Sequence, residues 1–189
     1  LFLEQAKGAL ALRHLFFLIS TLSTLLPISR FLQVFSSNAT QQRTSQITLS
    51  KIATALVAPR KGILAADESS NTIKKRFDSI NVESTEENRK NYREMLFTTD
   101  KVSEFISGII LFDETMRQNG KDGSSLVSTI TNTGIIPGIK VDKGAKPLAG
   151  STSETITEGL DGLRDRLHEY SELGAKFTKW RGVITIGDS

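Results

Sequence analysis

The sequence predicts an α/β fold, a (β/α)8 barrel of the TIM type, with about the first four β/α units present. From Ser45 onward, short apolar runs rich in β-branched residues alternate with helical segments, the pattern of βαβ units on a parallel sheet. The turn after the first run is Asp67-Glu68-Ser69-Ser70. It lacks the G-x-G-x-x-G turn of a dinucleotide-binding doubly wound sheet, so the barrel is preferred. Each strand also carries ionisable residues near its C-terminal end, where barrels of this type build their sites.

A short helix is expected over Leu49 to Val57, ended by Pro59, because the residue before a proline is pushed out of the helical region. Gly62 to Asp67 (GILAAD) is the first strand. Helical spacing follows around Ile73 to Phe77 and again from Ser84 to Phe97, where Ser84-Thr85-Glu86-Glu87 has the form of a capping box. Ile106 to Phe112 is the second strand. The helix from Ser124 to Thr133 stops at Gly134, a C-cap residue. Ile135, Ile136, Ile139 and Val141 make the third strand. Leu160, Leu163, Leu167 and Tyr170 recur at helical spacing up to Gly174, and Phe177 to Ile186 is the fourth strand.

The chain of 189 residues is long enough for one domain with a sizeable core. It contains no cysteine, which excludes a disulfide framework and a thiolate metal site. His14 and His168, the two histidines, lack ligand spacing, so no metal is expected. The net charge of +3 resides wholly in residues 1–50, which hold Lys7, Arg13, Arg30 and Arg43 against Glu4. A nucleic-acid-binding domain carries its basic excess in the folded part, so no nucleic-acid partner is expected. Residues 1–46 form an apolar, basic leader, and residues 47–189 the barrel segment. Leu15 to Ser29 is an uncharged apolar run, shorter than the roughly 18 residues of a membrane-spanning helix. It suits a signal core, and its Ser/Arg-rich, acid-poor flank suits an organelle transit segment. A membrane anchor and upstream translation are the other readings, and membrane contact follows only from the anchor.

Side chains alternate between faces along a strand. Ala65 and Asp67 therefore share a face. So do Lys140 and Asp142, with Ile139 and Val141 opposite, and Lys179 and Arg181, with Trp180 opposite. If the apolar members pack against helices, the charges enter the barrel. Burying each charge uncompensated costs on the order of several kcal/mol. The economical account is a polar pocket for an anionic, hydroxylated ligand. Lys179 and Arg181 suit phosphate, and Asp67 suits a hydroxyl or an ammonium. Lys140 and Lys179 are both candidates for a Schiff base, since an amine among other cations in a dry site becomes nucleophilic. Glu68, Asp113 and Glu114 read as solvated rim residues, and His168 as a surface residue.

KGILAADES (Lys61 to Ser69), KKRFDSI (Lys74 to Ile80), TEENR (Thr85 to Arg89), GIILFDET (Gly108 to Thr115), GIKVDKG (Gly138 to Gly144), GLDGL (Gly159 to Leu163) and KWR (Lys179 to Arg181) occur in order. Together they resemble class I fructose-1,6-bisphosphate aldolases over about residues 47–189. The resemblance implies a (β/α)8 barrel, commonly a homotetramer, located in the cytoplasm unless residues 1–46 are a transit segment. It implies reversible cleavage of fructose 1,6-bisphosphate to dihydroxyacetone phosphate and glyceraldehyde 3-phosphate through a lysine Schiff base, with no metal or other cofactor. By the same resemblance, Asp67 and Lys179 are catalytic, and Ser69, Thr72, Arg76, Lys140 and Arg181 bind substrate. Lys140 is expected to pair with Asp67, Asp142 and substrate phosphate. The family's covalent lysine belongs to a later strand, beyond Ser189, as do its main glutamate acid/base and its 1-phosphate loop. The alternative is therefore an inactive half-barrel that at most binds sugar phosphates. Arg60 stands where the family has glycine and Thr178 where it has alanine. Thr178 is expected to point away from the pocket.

Overall fold

The computed structural model describes residues 48–186. The leader, residues 1–46, lies outside the described residues. Contacts separate Leu1–Ser50 from Lys51–Ser189, and the fold described here is that of the second unit.

Helix α1 covers residues 48–56 and is followed by β1 (Gly62–Ala66), α2 (Ser70–Asp78), α3 (Glu86–Phe97) and the single turn α4 (Val102–Phe105). Then come β2 (Ile106–Leu111), the short α5 (Asp113–Met116), α6 (Leu126–Asn132) and β3 (Ile136–Lys140). A small hairpin of β4 (Ala145–Pro147) and β5 (Thr155–Thr157) precedes α7 (Leu163–Glu172) and β6 (Phe177–Lys179). The sheet runs β1-β2-β3-β6, parallel throughout and in chain order, the arrangement that successive βα units produce as a barrel wall.

The outer face of this wall is the core. Ala66, Ile109, Leu111, Ile135, Ile139 and Val141 pack against Phe97, Leu126, Val127, Ile130 and Tyr170 from the helices. The inner face is filled differently. Gly138 and Phe177 are register partners on β3 and β6, and the Phe177 ring lies over both Gly138 and Gly108 of β2. A Cβ on Gly138 would fall inside that ring. Leu56 of α1 also packs onto Gly108, so two strands give up their side chains for Phe177 and Leu56 to fill the layer.

Helix α3 is fastened to the ends of β1 and β2 by charge. Arg89 and Arg93 lie four residues apart, on one face of the helix. Arg89 clasps both carboxylate oxygens of Glu114, at 2.9 Å from Nε and 2.5 Å from Nη2. Arg93 is completely buried. Its Nη2 donates to the Glu68 carbonyl at 2.6 Å, its Nη1 lies 3.4 Å from Glu114, and its guanidinium carbon lies 5.6 Å from the Phe112 ring centre. Glu68 and Glu114 are therefore ion-pair members and not solvated rim residues: their side chains are 8% and 22% exposed. Asp113 is half-open and joins α5 to α7, accepting from Tyr170 Oη and Arg117 Nη2, both at 2.9 Å. His168 is on the surface, as expected.

Several boundaries differ from the sequence reading. The cap of α3 is Thr85, whose hydroxyl accepts from the Asn88 amide at 3.1 Å. The box starting at Ser84 is displaced by one residue, so the reciprocal glutamate contact does not form. Leu160 precedes α7 and is exposed. The fourth strand ends at Lys179 instead of Ile186. Among the described residues β3 is its one neighbour in the sheet, and past Asp142 that backbone bonds to Glu158 instead; Ile184 and Ile186 stand in the open, 86% and 92% exposed. The β4–β5 hairpin and the turns α4 and α5 had no counterpart in the pattern.

Gly138→Ala is expected to destabilise the chain by about 1–3 kcal/mol, because the Phe177 ring must leave its seat. Denaturant unfolding measures this, and a partial recovery in the Gly138→Ala, Phe177→Leu double variant checks the cause. The Arg89 guanidinium holds the Glu114 carboxyl below its ordinary value, against the opposing effect of burial. A depressed carboxylate contributes stability above its unfolded pKa and loses it as pH falls through the folded value. Between about pH 5 and pH 3, Glu114→Gln should therefore show a shallower fall in unfolding midpoint than the parent chain.

Candidate active site

Parallel β-strands end together, so the residues just past β1, β3 and β6 lie at one end of the sheet. The side-chain alternation then selects which of them face inward. Asp67 follows β1 and is buried, and Lys179 is the last residue of β6. Lys179 Nζ donates to Asp67 Oδ2 at 2.7 Å. These residues belong to the two outermost strands of the four. They are separated by three strand spacings, about 14 Å along the sheet. A direct ion pair between them requires the sheet to curl, and the bridge crosses its concave face.

Lys140, the register partner of Lys179, ends β3. Its amine binds Asp142 twice, at 2.8 Å to Oδ1 and 2.9 Å to the backbone carbonyl. The expected pairing of Lys140 with Asp142 is present; the expected pairing with Asp67 is not, because Lys179 takes that carboxylate. Asp142 is buried and also accepts the Gly144 amide at 3.0 Å and the Arg181 amide at 3.3 Å. Burial pushes its carboxyl up, but Lys140 and these two amides outweigh it and leave the net shift downward. Asp142 is thus a fixed anion that aims Lys140 and ties the segment after β6 to the end of β3.

The remaining predicted residues lie around this pair. The Arg181 guanidinium is exposed and has no partner among the described residues, while its backbone carbonyl accepts from Thr157 Oγ1 at 2.7 Å. Ser69 is the N-cap residue of α2, but its hydroxyl lies 3.1 Å from Thr72 Oγ1 instead of capping the helix. Both hydroxyls are therefore turned to the loop surface. Arg76, on the last turn of α2, pairs with Glu68 and is 58% exposed. Thr178 is exposed and lies between Phe177 and Lys179, hence on the opposite face of β6. Among the described residues, no three His, Cys, Asp or Glu side chains gather as a metal site.

The sequence reading missed the pinning role of Arg89, Arg93 and Glu114. The available signal was the i, i+4 arginine pair on a helix preceding a strand that ends in two carboxylates.

The chemistry available is specific. Two amine–carboxylate pairs, Lys179 with Asp67 and Lys140 with Asp142, stand at the strand ends, and the exposed Arg181 follows just past β6. Such a site can hold an anionic group while a carboxylate and an amine exchange or orient a proton.

Comparison with known proteins identifies the family. The family described as Fructose-bisphosphate aldolase class-I matches residues 48–189. A probable fructose-bisphosphate aldolase class 1 of Xanthomonas campestris is 61% identical over 140 residues, covering 74% of this chain and 42% of that protein. A cytosolic fructose-bisphosphate aldolase of Arabidopsis thaliana is 56% identical over 131 residues, 69% of this chain and 33% of its own length. Among solved structures, the Plasmodium falciparum fructose-bisphosphate aldolase, crystallised with TRAP and a small-molecule inhibitor, superposes with a TM-score of 0.72 at 51% identity. That match covers 74% of this chain and 40% of that one. The chain thus spans less than half the length of these relatives. On these matches and on its parallel half-wall of strands, the chain belongs to the class I fructose-bisphosphate aldolase family.

Proposed function

We propose that this segment supplies the substrate-holding half of a class I aldolase site, acting in the reversible cleavage of fructose 1,6-bisphosphate to dihydroxyacetone phosphate and glyceraldehyde 3-phosphate. The observation that carries this reading is the Asp67–Lys179 bridge at 2.7 Å, with Lys140 beside it on the next strand. In this reading, Asp67 binds substrate hydroxyls and relays a proton. Lys179 holds its carboxylate partner in one orientation through their hydrogen bond. Lys140 and Arg181 attract the phosphate-bearing end, and Ser69, Thr72 and Arg76 line the loop that meets the other polar groups. No metal or cofactor is needed for these roles. The relatives described as cytosolic support a cytoplasmic location, and the family's usual assembly supports a homotetramer.

A second reading is carried by a different observation. Among the described residues β1 and β6 each have a free edge, and the matched relatives are more than twice as long as the matched segment. The family's covalent lysine belongs to a later strand. In this second reading the 189 residues by themselves are inactive and at most bind sugar phosphate, without forming an imine.

Two outcomes test these readings. Borohydride reduction of the 189-residue chain with dihydroxyacetone phosphate is expected to leave Lys140 and Lys179 unmodified by peptide mass mapping; an adduct on either overturns the assignment. In a full-length enzyme carrying this segment, Lys179→Met is expected to lower kcat by about two to three orders of magnitude, the effect of removing one oriented charge from a preorganised site. Near-normal turnover in a coupled assay would remove Lys179 from the mechanism.

A further inference from the structure

Arg76 is exposed and flexible in type, yet it is held. Its Nη1 donates to Glu68 Oε1, while Nε and Nη2 have no partner among the described residues. Behind it, the Glu68 side chain is more than nine-tenths buried, and its second oxygen, Oε2, is buried without a hydrogen-bond partner. The Glu68 backbone is clamped in turn, because the wholly buried Arg93 donates to its carbonyl at 2.6 Å. The carboxylate offsets part of the charge of the buried Arg93 guanidinium, and its Oε1 accepts from Arg76. One carboxylate thus serves two arginines, one behind it and one in front. A guanidinium has two donor edges, so one edge can be fixed by a carboxylate while the other grips a phosphate bidentately.

We propose that Glu68 is a positioning residue, which holds one edge of Arg76 so that the other is presented to a phosphate group of the ligand. This rests on the reading of Arg76 as a phosphate-binding residue. Glu68 itself touches no substrate. It acts by removing the rotamer freedom of a long side chain before the ligand arrives, which is where preorganised binding gains affinity. Arg93 acts one step further back, by fixing the backbone that carries Glu68.

The test is a binding cycle on the 189-residue chain, with fructose 1,6-bisphosphate as the probe followed by NMR titration. Glu68→Ala is expected to weaken binding about tenfold, the scale of one charge-assisted hydrogen bond. Glu68→Gln, which can still accept from Nη1, is expected to stay within about threefold of the parent chain. Arg76→Ala is expected to weaken binding as much as Glu68→Ala or more, and the double variant no further than Arg76→Ala alone. Tighter binding in Glu68→Ala would make the carboxylate a competitor of phosphate and overturn the proposal. Additive losses would reduce Glu68 to a structural role and also overturn it. Absence of binding by the parent chain would overturn the substrate reading and this inference with it, whereas binding with additive losses sinks the inference alone. If Glu68→Ala does not fold, guanidinium NMR of the parent chain decides the matter. Slowed rotation about the Arg76 Cζ–Nη1 bond is expected, and free rotation contradicts the proposal.

Discussion

The ion pair between Asp67 and Lys179 is the constraint from which the rest of the site follows. It joins the first and the last strand of a four-stranded parallel wall, residues 112 positions apart, across the hollow side of the sheet. A flat sheet would hold these groups too far apart, so the pair exists only because right-handed βα units curl the sheet as they accumulate. The converse holds as well. Each charge is partly shielded, and each is tolerable there only in the company of the other. Fold and chemistry therefore specify one another at this point: curvature brings the groups together, and their pairing favours the curvature.

Lys140 and Asp142 show the same logic on a smaller scale. An amine and a carboxylate two residues apart share a face, and the carboxylate also collects backbone amides from Gly144 and Arg181. A buried anion with several donors is strongly held, and an amine bound to it twice has little freedom left. The site is thus made of charges whose directions are set by neighbours already in place. On the helical side, Arg93 does for the loop after β1 what Asp142 does for the loop after β3. In both places a buried ion is spent on fixing backbone, leaving the exposed cations Arg76 and Arg181 at the surface.

Much of this was legible in the sequence, for definable reasons. Apolar runs bounded by turns located the strands that are now β1, β2 and β3. The period-two alternation placed Asp67, Lys140 and Lys179 on the concave side, because that face is fixed once Ile139 and Val141 are assigned to the core. The partner choice was not legible. Lys140 and Lys179 are equivalent by pattern, and only the curl of the sheet decides which amine meets Asp67. The solvated reading of Glu68 and Glu114 failed for a related reason: carboxylates at strand ends look alike until a helix with a suitably spaced arginine pair is laid over them. The fourth strand was drawn too long because Val183, Ile184 and Ile186 have strand propensity, while a strand also needs a neighbour. Residue propensity at an edge says nothing about that neighbour.

The seat of Phe177 bears on the chemistry above it. Lys179 lies two residues further along the same face of β6, and Lys140 two beyond Gly138, so the aromatic ring occupies the layer just below both lysines on the concave face. The amines themselves are held by carboxylates, Lys179 by Asp67 and Lys140 by Asp142. Two glycines thus open the layer that Phe177 and Leu56 fill, one step below the paired lysines, and a side chain at either glycine would disturb the groundwork on which those pairs stand.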